Sequence, residues 1–235
     1  MKITFFSDTH TEHNMVIIPN TDILVFTGDC SGRGSRQDTI DFLNWFSKQP
    51  SKHKVMIAGN HDFFFEVQRQ EVINIIPDNI HYLEDSSITI EGIKFYGSPV
   101  TPYFHNWAFN KYRNTTKSGE YSPDLYKGIK EHWDEIPNDT DIMLSHGPSA
   151  DALDLLCEKF RKPNEHPNVG CMDLSIALKR VKPKILAFGH IHETYGTQQV
   201  EDILHINSSV MNENYECINK PISIEYTNQI EHIYN

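Results

Sequence analysis

Short apolar runs that end abruptly in polar residues set the pattern of this chain. Ile3-Thr4-Phe5-Phe6 precedes Asp8-Thr9-His10, Ile23-Leu24-Val25-Phe26 precedes Gly28-Asp29, and Val55-Met56-Ile57-Ala58 precedes Gly59-Asn60-His61-Asp62. In the second half, Ile142-Met143-Leu144 precedes His146-Gly147, and Ile185-Leu186-Ala187-Phe188 precedes Gly189-His190-Ile191-His192. Runs of this length punctuated by Gly read as buried strands of an α/β sheet, where ligands gather outside the carboxyl ends of strands. Five times, then, an apolar strand is capped by Asp, His or Asn.

Between these strands the periodicity changes. A helix is predicted from Ser35 to Phe46, with Ile40, Leu43 and Phe46 at helical spacing. A second runs from Glu66 to Ile76, ended by Pro77, with Val72, Ile73 and Ile76 on one face. Short strands follow at Ile80–Leu83, Ser87–Ile90 and Ile93–Tyr96, the last two joined by Glu91-Gly92, a two-residue hairpin signal. Strands at 141–145, 184–188, 203–206 and 222–226 and helices around Leu153, Leu155 and Leu156 and over Met172–Val181 complete the alternation, with Asn228-Gln229 before a last strand. From Ser98 to Pro123 the chain is irregular and aromatic: Tyr103, Phe104, Trp107, Phe109, Tyr112 and Tyr121 form either a substrate wall or a satellite core. The layout predicts an α/β chain, two sheets packed face to face with helices outside and the site at one edge. With the strand ends spread from residue 8 to residue 192, residues 1–235 read as one domain.

Composition narrows the setting. Hydrophobic content of 38% and charged content of 23% are ordinary for a globular protein, and no apolar run approaches the roughly 18 residues of a membrane span. The apolar stretch after Lys2 is too short for a secretory leader, so a cytoplasmic protein is expected. Cys30, Cys157, Cys171 and Cys217 contain no CxxC pair, which argues for reduced thiols and against a thiolate zinc site. A formal net charge of −11 opposes tight contact with long duplex nucleic acid.

Asp8, Asp29, Asn60, His10, His146, His190 and His192 are a ligand inventory without sulfur, suited to Mn, Fe, Zn or Ni and less to Ca. Seven ligands exceed one tetrahedral ion and suit two ions about 3.5 to 4 Å apart, with Asp29 the natural bridge, an arrangement that stabilises both oxygens of an in-line displacement at phosphorus. Attack by a metal-bound hydroxide needs no protein nucleophile, but a departing alkoxide needs a proton, and His61 is the nearest acid. Asp62 beside it is expected to help keep the ring protonated. Arg33, in the loop Ser31-Gly32-Arg33-Gly34, reads as a phosphate clamp or as a solvated loop arginine.

In their order, these five blocks resemble the calcineurin-like metallophosphoesterase superfamily. Gly97-Ser98-Pro99, Trp107-Ala108-Phe109-Asn110, His146-Gly147-Pro148, Val169-Gly170-Cys171 and Gly189-His190-Ile191-His192-Glu193 extend the likeness to its small phosphodiesterases. The resemblance implies a two-sheet β-sandwich and a binuclear centre, active with manganese in vitro. One metal would take Asp8, His10, Asp29 and His192, the other Asp29, Asn60, His146 and His190. It also implies that His61 is the general acid and that small phosphodiesters such as cyclic nucleotides are the substrates. The chain departs from the superfamily's protein phosphatases at Gly32, where their Gly-Asp-x-x-Asp-Arg-Gly motif has an acid. Phosphomonoesterase or protein phosphatase activity, and a metal-bearing scaffold without catalysis, are the alternative readings.

Overall fold

A computed structural model describes residues 1–115, 128–150, 152–161, 166–227 and 230–234. Tyr121 of the aromatic stretch and the Asn228-Gln229 connection lie outside these residues. One sheet of six strands has the order Ile230–Tyr234, Ile222–Tyr226, Lys2–Phe6, Thr21–Thr27, Ser51–Ile57, His81–Tyr82. The other has the order Gly196–Val200, Ile203–Asn207, Ile185–Phe188, Ile142–Ser145, Ile93–Ser98, Ser86–Ile90. In each, the four strands that include the predicted site strands run parallel, and the antiparallel partners stand at the margins.

The continuous apolar runs follow from burial on both faces of each strand. Ile3, Phe5, Ile23, Val25, Val55 and Ile57 meet Phe95, Ile142, Leu144, Ile185, Ala187 and Ile206 in the core between the sheets. Their neighbours point the other way. Phe6, Leu24, Phe26 and Met56 pack under Phe42, Leu43 and Phe46 of the helix Arg36–Ser47. Met143, Leu186 and Phe188 pack under Trp133 of Ile129–Asp134 and under Leu174 and Leu178 of Met172–Val181. Ser35 caps the first of these helices by accepting the N–H of Asp38 at 3.0 Å.

The strands, the first helix, the Met172–Val181 helix and the hairpin agree with the sequence pattern, the hairpin through positive φ at both Glu91 (51°) and Gly92 (83°), as a type I′ turn requires. Two helices do not. Glu66 to Ile76 is split into Phe63–Val67 and Arg69–Ile75, because Gln68 leaves helical geometry (φ −119°, ψ 39°). Val72 is buried while Ile73 is exposed. Around Leu153–Leu156 there is no α-helix. The segment pairs with 166–170 instead of with itself: Leu156 donates to the Pro167 carbonyl at 2.8 Å, Val169 to that of Asp154 at 2.9 Å, and the Asp154 carboxylate takes the Asn168 amide at 2.6 Å. Leucines at helical spacing cannot reveal that competitor. The short helix Ile129–Asp134 escaped the periodicity altogether.

The hairpin yields a test. A Cβ at Gly92 would meet nothing within 4 Å, so Gly92→Ala isolates the cost of its positive φ and should lose about 1 kcal/mol in urea unfolding. Gly32→Ala, at an equally open position without a positive φ, should stay within about 0.5 kcal/mol of the parent.

Candidate active site

The parallel strands of both sheets deliver their carboxyl ends to one edge. Asp8 and His10 follow Lys2–Phe6, Asp29 follows Thr21–Thr27, Asn60 follows Ser51–Ile57, His146 follows Ile142–Ser145, and His190 and His192 follow Ile185–Phe188. The sheets are joined there, Ser7 donating to the Ser208 carbonyl at 3.0 Å and the His146 ring to that of Thr27 at 2.9 Å. Asp8 (φ 54°), His10 (39°), Asp29 (62°) and His190 (70°) all lie in the left-handed region, which costs an L-residue about 1–2 kcal/mol each. Strain of this kind persists where surrounding bonds over-determine it, and it marks functional positions.

All seven predicted ligands converge. Around one point, His192 Nε2 lies 3.4 Å from Asp8 Oδ1 and 3.3 Å from His10 Nε2. Around a second, His146 Nε2 lies 2.9 Å from Asn60 Oδ1 and 3.2 Å from Asp29 Oδ2, with His190 alongside. Asp29 Oδ2 is also 3.8 Å from His10 Nε2, so this one oxygen faces both groups. The far nitrogens explain the orientation. Nδ1 of His10, His146 and His192 meets the carbonyls of Ser31, Thr27 and Asn212 at 3.3, 2.9 and 3.2 Å. A carbonyl only accepts, so Nδ1 carries a proton and Nε2 is the atom turned toward the cluster, the arrangement of a metal-ligating histidine.

A cation fits this donor set. Lone pairs on His146 Nε2, Asn60 Oδ1 and Asp29 Oδ2 would repel unless positive charge lies among them. Burial opposes charge on His146, yet Asp29 prevails and raises its pKa to about 9, so the pocket attracts a proton where it would hold a metal. Burial pushes His190 down to about 3 and His10 to about 4, leaving the neutral imidazoles that ligate. Asp8 is held at about 2, burial opposing and His192 favouring its ionised form.

Asp62 plays a different part from the one expected. Its carboxylate does not meet the His61 ring. Oδ2 accepts the N–H of Gly59 (2.8 Å), Asp29 (2.9 Å) and Cys30 (3.3 Å), and Oδ1 accepts the N–H (3.1 Å) and hydroxyl (2.8 Å) of Ser31. Adjacent side chains diverge here because the chain turns after His61. Asp62 is spent on the loop that carries Asp29. Gly59 is required by close approach, since a Cβ there would stand 2.3 Å from Asp29 Oδ1 and 2.6 Å from His146 Cε1.

A cavity of about 640 Å³ opens over the cluster. His61, Trp107, Phe104 and Tyr103 form part of its lining, and Phe109 packs into the outer core, so the aromatic stretch supplies both a wall and core packing. Trp107 is placed by its neighbours: Ala108 donates to the Asn60 carbonyl and Phe109 to Glu66 Oε1, each at 3.0 Å. The His61 ring stacks on Trp107 with centroids 4.1 Å apart at 24°, and its Nδ1 donates to the Gly32 carbonyl at 2.7 Å. Arg33 is exposed, its guanidinium 5.4 Å from the centre of the Trp107 ring, so it stands by the wall and is not among the residues lining the cavity. Arg113, Glu193 and Tyr215 do line it. Glu193 closes the block Gly189-His190-Ile191-His192-Glu193, whereas Arg113 and Tyr215 carry no periodic or motif signal in the sequence.

Two sheets that bring Asp, Asn and His donors to a shared edge around two cation-sized points define a metal-dependent phosphoesterase, a hydrolase. The chain belongs to the calcineurin-like phosphoesterases, whose family model matches residues 1–194. It is 31% identical over 242 residues to metallophosphoesterase domain-containing protein 1 of Homo sapiens, covering 93% of this chain and 69% of that one, and equally similar to its Mus musculus counterpart. Among solved structures, a novel archaeal phosphodiesterase aligns over 100% of this chain and 99% of its own with a TM-score of 0.50 at 15% identity. A Thermus thermophilus protein, TT1561, aligns over 88% of each chain with a TM-score of 0.52 at 10% identity. At these identities the structures speak for the fold alone. No helix among the described residues is long and apolar enough to cross a membrane.

Because the Asp62 carboxylate satisfies four backbone N–H groups, Asp62→Ala should lose at least about 3 kcal/mol in denaturant unfolding, through buried donors left unpaired. His61→Ala, which removes a ring at the cavity surface, should lose less than about 1 kcal/mol. Similar losses in the two variants would show that Asp62 does not organise the loop.

Proposed function

We propose that this chain hydrolyses small phosphodiesters, cyclic nucleotides among them, at a centre of two metal ions, with His61 giving a proton to the leaving group. The observation that carries the reading is His61 itself, whose ring is held against Trp107 beside the donor cluster in a cavity of about 640 Å³, room for a nucleotide and not for a duplex. Asp8, His10, Asp29 and His192 would hold one ion, Asp29, Asn60, His146 and His190 the other. Bound there, the ions would neutralise the phosphoryl charge and stabilise its entering and leaving oxygens. A donor set of oxygen and imidazole nitrogen suits Mn, Fe, Zn or Ni, and manganese is the ion to try first.

The protein's own groups do the rest. With Nδ1–H fixed on the Gly32 carbonyl, Nε2 of His61 is the atom left to carry a mobile proton. The His61 backbone N–H donates to Asp29 Oδ1 at 2.7 Å, which ties His61 to the carboxylate that would bridge the two ions. Trp107 and Phe104 offer faces on which a base can stack, worth about 1 to 3 kcal/mol per base. The core shared by the two sheets supports reading residues 1–235 as one domain, and four unpaired cysteines accord with a cytoplasmic location.

Chelator treatment should abolish activity and Mn²⁺ restore it, with metal analysis finding two ions per chain. Asp29→Ala should bind one ion or none, since its oxygen faces both groups, and a variant retaining both would remove the bridging role. His61→Ala should keep both ions and lower kcat by about 10²- to 10⁴-fold on a nucleotide diester with a poor leaving group, and far less on an activated aryl diester. Equal losses on both substrates would sink the assignment of His61 as the acid.

A further inference from the structure

Tyr215, which belongs to none of the sequence motifs, stands beside two of the predicted ligands. Its ring lies 5.0 Å from that of His10 and 4.9 Å from that of His192, centroid to centroid, and it lines the cavity. The residue is 52% exposed, and its hydroxyl has no hydrogen-bond partner among the described residues. Its backbone is in the left-handed region, with φ 59°, a conformation a bulky aromatic residue rarely adopts. An outlier of this kind beside a site is a reason to ask what the strain positions.

The answer lies in the turn that holds it. Asn212 Oδ1 accepts the N–H groups of Asn214 and Glu216, both at 2.9 Å, and Tyr215 donates its N–H to the Asn212 carbonyl at 3.0 Å. Lys159 reaches across to the Glu213 carbonyl at 2.8 Å and the Asn214 side chain at 2.7 Å. The same Asn212 carbonyl accepts from His192 Nδ1 at 3.2 Å. One turn therefore fixes the orientation of His192 and holds a phenol against the rings of His10 and His192. A ring wanted only for packing would not be placed half in solvent at the cost of a strained backbone.

His61 also borders His10, with ring centroids 4.5 Å apart. The two residues thus both flank the group of donors around Asp8, His10 and His192, one with an imidazole and the other with a phenol. We propose that Tyr215 is a substrate-binding residue whose hydroxyl donates a hydrogen bond to a non-bridging oxygen of the phosphoryl group. Such a bond acts on the phosphoryl group itself and is indifferent to the leaving group, unlike proton donation by His61. The proposal rests on phosphoester hydrolysis at this site, and not on the choice of diesters or cyclic nucleotides as substrates.

Tyr215→Phe in the manganese-loaded chain is the test, because it removes the hydroxyl and keeps the ring. Two ions per chain should remain. The affinity for inorganic phosphate, measured by calorimetry, should fall about 10-fold, the size of a hydrogen bond to a charged group. For any phosphoester the parent hydrolyses, monoester or diester, kcat/KM should fall by about 10- to 100-fold, by the same factor for good and poor leaving groups. Loss of an ion would overturn the proposal by making the hydroxyl a ligand or a support of His192. Unchanged phosphate affinity and kcat/KM would reduce Tyr215 to a wall. If the parent cleaves monoesters and no diester, the diester reading fails while the phosphate titration still decides the role of Tyr215.

Discussion

Everything at the site depends on how Asp29 is held. Its backbone is left-handed and its carboxylate is buried among histidines, two costs that a free loop would relax by turning the residue outward. Asp62 prevents this by gathering the N–H groups of Gly59, Asp29, Cys30 and Ser31, which locks two strand-end loops into one body. The Asp29 oxygens are then divided, Oδ1 taken by the His61 N–H and Oδ2 left facing His10 and His146. A single hydrogen-bonded carboxylate thereby sets the position of a second one.

The architecture supplies the rest of that constraint. Parallel strands all end on one edge, and covering both faces of each sheet leaves that edge as the place where polar side chains can collect without disturbing a core. Asp8, His10, Asp29 and His190 adopt strained backbone there because two sheets and their connecting bonds leave them no alternative. Histidines whose Nδ1 atoms are tied to Ser31, Thr27 and Asn212 carbonyls cannot rotate away, so their Nε2 atoms stay aimed at two points. The donor geometry is preorganised by bonds that have nothing to do with metal.

Above the cluster the cavity is built asymmetrically. Its Trp107 side is pinned to the Asn60 carbonyl and to Glu66, so the wall against which His61 stacks is fixed to the loop that carries Asn60. Its Tyr215 side is pinned through Asn212 to His192. Both walls are thus referenced to the donors and not to each other.

The sequence by itself determined the strands, their two-sided burial and the seven donors, because a run such as Ile185-Leu186-Ala187-Phe188 before Gly-His-Ile-His is a local pattern that burial at a sheet's centre dictates. It also carried the hairpin at Glu91-Gly92, where the turn residues alone select the conformation. What only the tertiary structure decided are the features made by residues distant along the chain. Asp62 turns from its neighbour His61 to the Asp29 loop, the leucines at 153–156 pair with 166–170, and Arg33 stands by the Trp107 wall instead of over the cluster. Tyr215 reaches His10 from the other end of the chain, out of a turn that, read along the sequence, is only a polar stretch. Local periodicity reports which side a residue faces; it carries no record of the partner waiting there, and in this protein the partners make the site.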